Sequence, residues 1–99
     1  QMFDTIAVSE VRTVNQQIEM ISVCATDGTL TPLRFRVEDE AHCLQTVPIL
    51  RTESYKTIQY AGVDAIQYLC KATLEGRERL LELRYTVRTH RWSLFRVVY

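Results

Sequence analysis

Residues 64–99 read DAIQYLCKATLEGRERLLELRYTVRTHRWSLFRVVY, and this stretch decides the fold. Apolar and polar side chains alternate along it with a period of two, which is typical of β-strands with one buried face. Glu75-Gly76 and Thr89-His90-Arg91 interrupt the alternation, and we expect turns there. The sequence therefore predicts a three-strand antiparallel meander over residues 64–99, with its last strand running from Trp92 to Tyr99.

The amino-terminal half carries the same kind of pattern. Residues 18–26 are rich in β-branched side chains, residues 32–38 alternate strictly, and Asp27-Gly28 supplies turn residues between them. These segments predict a β-hairpin. Residues 43–50 predict a further strand, and residues 52–60 either extend that strand or form a short helical turn.

Residues 1–16 allow two interpretations. Their apolar residues fall at helical spacing, yet many are β-branched and favour a strand, and Asn15-Gln16 could turn an additional strand back onto residues 17–22. We prefer the strand. The chain is therefore interpreted as a single β domain over residues 1–99, with the barrel itself over residues 17–99.

The number and spacing of these strands predict the fold class. At least six strands, separated by regular turn signals and with almost no helical period, indicate an all-β protein. We expect a six- to seven-stranded antiparallel small barrel or sandwich that ends in the C-terminal three-strand meander. The predicted core consists of the inward residues of the alternating strands: Leu33, Phe35, Val37, Ile66, Tyr68, Cys70, Leu81, Leu83 and Tyr85.

Two of the strands, residues 18–25 and 92–99, are apolar on both faces. When one face enters the core, the other leaves an apolar patch outside, and such a patch normally marks a contact. Either residues 1–16 or a second copy of the chain could cover it, and we favour a two-fold homodimer. The candidate interface residues are Ile21, Val23, Phe95, Val97 and Tyr99.

The composition, 46% hydrophobic and 24% charged over 99 residues, excludes a disordered or collagen-like chain. We expect no leader peptide and no membrane span, because no apolar run approaches about 20 residues. The three cysteines, Cys24, Cys43 and Cys70, include no Cys-x-x-Cys pair. This odd number predicts a reduced, cytoplasmic protein whose cysteines serve as small apolar residues.

The net charge of zero is a cancellation between two halves. Seven acidic and three basic residues give residues 1–50 a charge of −4, whereas nine basic and five acidic residues give residues 51–99 a charge of +4. Neighbouring strands can neutralise each other, or the arginines can form a surface for an anionic partner such as nucleic acid. We prefer neutralisation, because a dedicated nucleic-acid-binding domain is usually basic overall. The candidate anion contacts are Arg34, Arg36, Arg84, Arg88 and Arg91.

The sequence offers weak signals for catalysis or cofactor binding. The ligand-type residues between Glu38 and Cys43 crowd one polar break, which is more typical of a solvated turn than of a metal site. A Cys70–His90 dyad is conceivable, but Cys70 belongs to a core face, where a thiol is inert. The glycines mark turns and form no phosphate-binding loop. We therefore predict no catalytic residue, metal or cofactor.

Several short motifs resemble those of a group of small uncharacterised bacterial proteins of similar length. They are Asp27-Gly28, Pro32-Leu33-Arg34-Phe35-Arg36, Cys70, Gly76, Glu82-Leu83-Arg84-Tyr85, Trp92 and Leu94. The resemblance covers about residues 18–98 and implies a loose link to DNA metabolism, because some members are encoded near translesion polymerase genes. It carries over no catalytic residue.

These observations predict a role without catalysis. We expect an interaction or accessory module that self-associates as a homodimer or binds another protein. The alternative is a nucleic-acid-binding accessory protein that uses the C-terminal arginines.

Overall fold

The computed structural model describes residues 12–38 and 41–99, and this part of the chain is an antiparallel β-barrel. Its strands are β1 (Arg12–Cys24), β2 (Leu30–Glu38), β3 (Leu44–Tyr60), β4 (Val63–Leu74), β5 (Arg77–Thr86) and β6 (Arg91–Val97). Each strand pairs with the next, and β6 pairs with β1 to close the barrel. The predicted all-β fold, small antiparallel barrel and C-terminal meander are confirmed.

Tight two-residue turns join β3 to β4 and β4 to β5. Ala61-Gly62 connects β3 to β4, and Glu75-Gly76 connects β4 to β5; all four of these residues have positive φ. Two consecutive positive φ values characterise the two-residue hairpin turn whose twist matches that of the flanking strands. Residues 52–60, for which the sequence allowed a strand or a short helical turn, extend β3 and do not form a helical turn.

The beginning of the barrel differs from the prediction. β1 starts at Arg12, so residues 12–16 already belong to the barrel. Asn15 does not turn a strand back: it has a φ of 46° at a register shift in the β1–β6 ladder, and asparagine tolerates this left-handed conformation. The interpretation of residues 1–11 as a strand or a cover lies outside the described residues.

A β-bulge in β2 explains why one predicted core residue is wrong. Ser22 pairs with Pro32 and Ile21 with Arg34, so Leu33 is an extra residue without a partner position in β1. The bulge turns Leu33 outward, where it is 41% exposed, and Phe35 resumes the inward face. Of the other predicted core residues, Phe35, Tyr68, Cys70, Leu81 and Leu83 are buried, and Val37, Ile66 and Tyr85 are half-buried against the core.

A second bulge changes the faces of β6. Leu83 pairs with Leu94 and Glu82 with Arg96, so Phe95 is the extra residue. Alternation therefore restarts after Phe95 and brings Val97 into the core, where it is only 2% exposed. The prediction that Val97 shares an outward face with Phe95 is wrong.

The ladder between β2 and β3 is regular but short. It extends only from the Glu38–Leu44 pair to the Arg34–Pro48 pair. Pro48 is the last paired residue of β3, and Pro32 lies two residues beyond the last paired residue of β2; such positions suit residues without a backbone N–H. The Tyr68 hydroxyl donates a 2.6 Å hydrogen bond to the carbonyl of Leu30 and thereby ties β4 to the start of β2.

Among the described residues there is no helix with the length and apolarity that crossing a membrane requires.

Candidate functional site

A cleft of about 400 Å³ lies beside the turn that joins β5 to β6. Arg84 of β5, Arg88 of the turn and Arg91 of β6 all line it. Its other described lining residues are neutral, either polar or apolar, and include no Asp or Glu: Asn15, Gln17, Ala61, Val63, Ala65, Thr86, Thr89, Trp92, Ser93 and Phe95. We call this hollow the arginine cleft.

Strand register explains why these side chains meet. Arg84 pairs with Ser93, and Ser93 in turn pairs with Gln17, so the three lie in one row across β5, β6 and β1. Thr86 pairs with Arg91 in the next row towards the turn. The bulge at Phe95 directs that ring into the cleft, away from the core that Leu94 and Val97 enter.

A buried carboxylate holds one of the three arginines. Glu82 is 1% exposed although it faces outward from the sheet, because its neighbours cover it. Its carboxylate accepts hydrogen bonds from Gln67 Nε2 at 2.8 Å and from Arg84 Nε at 2.7 Å, and it forms an ion pair with Arg96. The Arg84 guanidinium also lies 3.6 Å from the centre of the Phe95 ring, a cation–π contact.

The Glu82 side chain is ionised at neutral pH. Burial alone raises the pKa of a carboxyl, but hydrogen bonds from Gln67, Arg84 and Arg96 and the positive charge of Arg84 outweigh burial and lower the pKa of Glu82 below its ordinary value. The single negative charge of Glu82 therefore neutralises one of the two positive charges of Arg84 and Arg96, and its hydrogen bond fixes the orientation of Arg84 at the cleft wall.

Arg88 and Arg91 supply the exposed positive charge of the cleft. Arg91 Nη1 donates a 3.4 Å hydrogen bond to the side-chain oxygen of Gln17. In the described part of the chain, no carboxylate forms an ion pair with either arginine. Arg88 also lines a neighbouring hollow that contains Asp64, but no carboxylate of the described lining of the arginine cleft faces either guanidinium group. These two groups are therefore the natural contacts for an anion.

The structure separates the two arginines of β2 from this cleft. Arg34 and Arg36 line a smaller hollow of about 300 Å³ on β1, β2 and β3. Arg36 forms a 2.6 Å ion pair with Glu19 of β1, as neutralisation between neighbouring strands predicts. The five predicted arginines therefore belong to two places, and only Arg84, Arg88 and Arg91 share a site.

The predicted interface residues do not form one patch. Ile21 and Val23 lie on β1 and are 47% and 48% exposed. Phe95 is half-buried beneath Arg84 in the arginine cleft, and Val97 belongs to the core. Tyr99 is exposed beyond the end of β6, with the Lys71 ammonium 4.4 Å from the centre of its ring.

Cys70 and His90, which the sequence analysis considered as a dyad and did not favour, have different partners in the structure. Cys70 is fully buried beside the Thr52 hydroxyl, at 3.6 Å, and burial raises the pKa of its thiol. The His90 Nδ1 atom is 2.8 Å from the Tyr85 hydroxyl. The expectation that cysteines act as small apolar residues holds for Cys70 and is wrong for Cys24 and Cys43, which are exposed.

The polar break after β2 provides no metal-binding cluster within the described residues. Its described members include an ion pair between His42 and Glu38 at 3.4 Å. The residues that the structure describes contain no group of three or more histidine, cysteine, aspartate or glutamate side chains that could hold a metal ion.

Sequence reasoning missed the burial of Glu82 and the uncharged polar side chains that line the arginine cleft. We call these side chains the polar wall: Asn15, Gln17, Thr86, Thr89 and Ser93. The wall is built by residues far apart in the chain, such as Asn15 and Thr86, which only the closing β1–β6 ladder brings together. Comparison with known proteins adds no further assignment: no family model, curated protein or solved structure matches the chain.

Proposed function

We propose that this protein is a small accessory module without catalytic activity that binds single-stranded nucleic acid in the arginine cleft. The observation that carries the proposal is the convergence of three arginines in a cleft whose described lining contains no carboxylate. This convergence outweighs the net charge of zero, because binding depends on the local charge at the site.

The chemistry of the cleft suits a strand with phosphates and exposed bases. Arg88 and Arg91 are placed to contact phosphate oxygens through forked N–H groups. The layer formed by Arg84 and Phe95 offers a flat surface of the kind on which unpaired bases stack. The hydroxyl and amide side chains of the polar wall can bond to sugars and base edges. A duplex hides its base faces, so we favour a single strand.

The absence of an activity is part of the same proposal. The described lining of the cleft holds no cysteine, histidine, aspartate or glutamate, the side chains that most often act as nucleophiles or general acids and bases. A reducing, cytoplasmic location is also proposed, and it is supported by the cysteines: all three are described, and none forms a disulfide.

Fluorescence anisotropy with a labelled oligothymidylate of about 12 nucleotides tests the proposal. Two phosphate contacts predict that the logarithm of the association constant falls with the logarithm of salt concentration with a slope of about −1.4. Arg88→Ala and Arg91→Ala should each weaken binding and reduce the slope by about 0.7. The matched control is Arg36→Ala, which removes an outward arginine from the other hollow and should leave binding unchanged.

Absence of binding at about 50 mM salt would overturn the proposal, as would equal losses in Arg36→Ala and Arg91→Ala. A parallel titration with labelled oligoglutamate tests the other anionic polymer. Tighter binding of oligoglutamate than of oligothymidylate would assign the cleft to an acidic protein segment and refute the nucleic-acid proposal.

A further inference from the structure

Among the described residues, the outer edge of β3 has no partner strand along its second half. β2 pairs with β3 only between Leu44 and Pro48, whereas β3 continues to Tyr60 in its ladder with β4. Beyond Pro48, no strand in the described ranges pairs with the other side of β3. Unpaired backbone groups at such an edge can bond to another strand, and natural proteins normally protect them.

The neighbouring strands show which residues of β3 direct their backbone N–H and C=O groups towards this edge. The Asp64 carbonyl accepts a 3.1 Å hydrogen bond from the Val87 N–H, so Asp64 points towards β5. Its neighbours Val63 and Ala65 then point towards β3, where they pair with Tyr60 and Ile58. Alternate residues of β3 face the opposite way, and the open edge therefore presents the N–H and C=O groups of Tyr55, Thr57 and Gln59.

The usable part of the edge is residues 54–60. Register shifts occur between Ile49 and Arg51 and between Thr52 and Ser54, and such bulges interrupt regular pairing. From Ser54 to Tyr60 the ladder with β4 is regular. The side chains of residues 54–57 are exposed, so a partner strand can approach.

We propose that a second copy of the chain pairs with this edge, antiparallel to it, about a two-fold axis at Thr57. In this register Thr57 faces the partner's Thr57, a favourable cross-strand pair, and Tyr55 faces the partner's Gln59. Lys56 faces the partner's Ile58, so no like charges meet. Moving the axis by one residue to Lys56 would place two lysines directly opposite each other, which is destabilising. With the axis at Thr57, all of residues 54–60 pair with the same segment of the second copy, and no pair brings like charges together.

The dimer has a consequence that rests on the proposed function. β3, β4, β5, β6 and β1 form one sheet, and pairing of two β3 edges would continue it into the second copy. Antiparallel edge pairing keeps the outer faces on the same side, so both arginine clefts would lie on the outer surface of one continuous sheet, and one strand of nucleic acid that follows this surface could reach both. Five strand spacings separate β5 from the partner's β5, a path of about 24 Å along the curved sheet. Simultaneous contact would raise the affinity for a long oligonucleotide over that for a short one.

Light scattering after size exclusion tests the dimer, and a charge exchange at the axis tests its register. The wild-type chain of 11.6 kDa should show twice that mass. Thr57→Lys and Thr57→Glu should each show the single-chain mass, because like charges meet across the axis, and an equimolar mixture should recover the doubled mass. Recovery in the mixture also excludes misfolding as the reason for dissociation.

If the wild-type protein shows the single-chain mass even at a protein concentration of about 1 mM, the dimer has no useful affinity and the proposal is overturned. A doubled mass in Thr57→Lys alone, or no recovery in the mixture, would overturn it as well. The result is independent of nucleic-acid binding: Arg88→Ala and Arg91→Ala should leave the mass unchanged, and Thr57→Lys should leave the affinity for a short oligothymidylate unchanged.

Discussion

Replacing Glu82 by glutamine tests the ionised carboxylate beneath the arginine cleft. The side chain is 1% exposed, and its carboxylate accepts hydrogen bonds from Gln67, Arg84 and Arg96. Glutamine has nearly the same shape, but its amide group brings an N–H towards the arginine donors and leaves at least one of them without an acceptor. Losing one partner of a buried ion pair costs about 3–5 kcal/mol. Arg96 is 33% exposed and can turn to water, so we expect a loss of about 3 kcal/mol.

The effect has a defined pH dependence. The pKa of Glu82 is lower in the folded protein than its ordinary value of 4.5. A lowered folded pKa means that the carboxylate contributes its full stability above the unfolded pKa and loses it as the pH falls through the folded pKa. The difference between wild type and Glu82→Gln should therefore be constant above about pH 6 and shrink in acid below about pH 5.

Urea unfolding followed by the fluorescence of Trp92, the single tryptophan, measures both effects. The matched control is Glu19→Gln, which removes the carboxylate of the exposed Arg36–Glu19 pair and should change the free energy of unfolding by less than about 1 kcal/mol. If Glu82→Gln costs no more than this control, the carboxylate does not anchor the two arginines and the reasoning is refuted.

Further predictions concern the core, the tyrosines and the thiols. Leu83→Ala, at a position with no exposure, should reduce the free energy of unfolding in urea by about 2–5 kcal/mol. Burial raises the pKa of Tyr68 to about 12, so absorbance titration should show a late phenolate step that is missing in Tyr68→Phe. Because this folded pKa is raised, the stability it represents is complete below the ordinary pKa of 10.0 and is lost as the pH rises towards 12. A thiol reagent should modify Cys24 and Cys43 in the native protein and Cys70 only in denaturant; rapid native modification of Cys70 would contradict its burial.

Alternation of apolar residues predicted the strands and most of the core, because each strand of a barrel has one face inside. It failed at the bulges of β2 and β6, since an extra residue shifts the alternation, so that one unbroken period of two cannot describe both sides of the bulge. In β2 the error falls on Leu33 and the residues after it keep their predicted faces, whereas in β6 the error falls after Phe95, on Val97. The β6 bulge has no distinctive residue in the sequence, and Pro32, which directly precedes Leu33, fits the start of a strand as well as a bulge. Leu33 and Val97 were therefore assigned to the wrong faces, for the same physical reason.

The arginine cleft could be predicted only in part. Alternation correctly placed Arg84 on an outer face, but the sequence does not show which strands the closing ladder brings together. Arg34 follows the same pattern and lies in a different hollow. The burial of Glu82 depends on neighbours from β4 and β6 as well as β5, so its outward position in the alternation indicated a solvated charge.

Amide NMR shifts recorded during titration with oligothymidylate test the central claim most directly. The proposed function predicts the largest changes at residues that line the arginine cleft: Gln17 of β1, Val63 of β4, and Arg84, Thr86, Arg88, Thr89, Arg91, Trp92 and Ser93 of the β5–β6 hairpin. The amides of Arg34 and Arg36 should change little, because they belong to the other hollow. Changes centred on β2, or no changes at a saturating oligonucleotide concentration, would contradict the claim that the arginine cleft binds single-stranded nucleic acid.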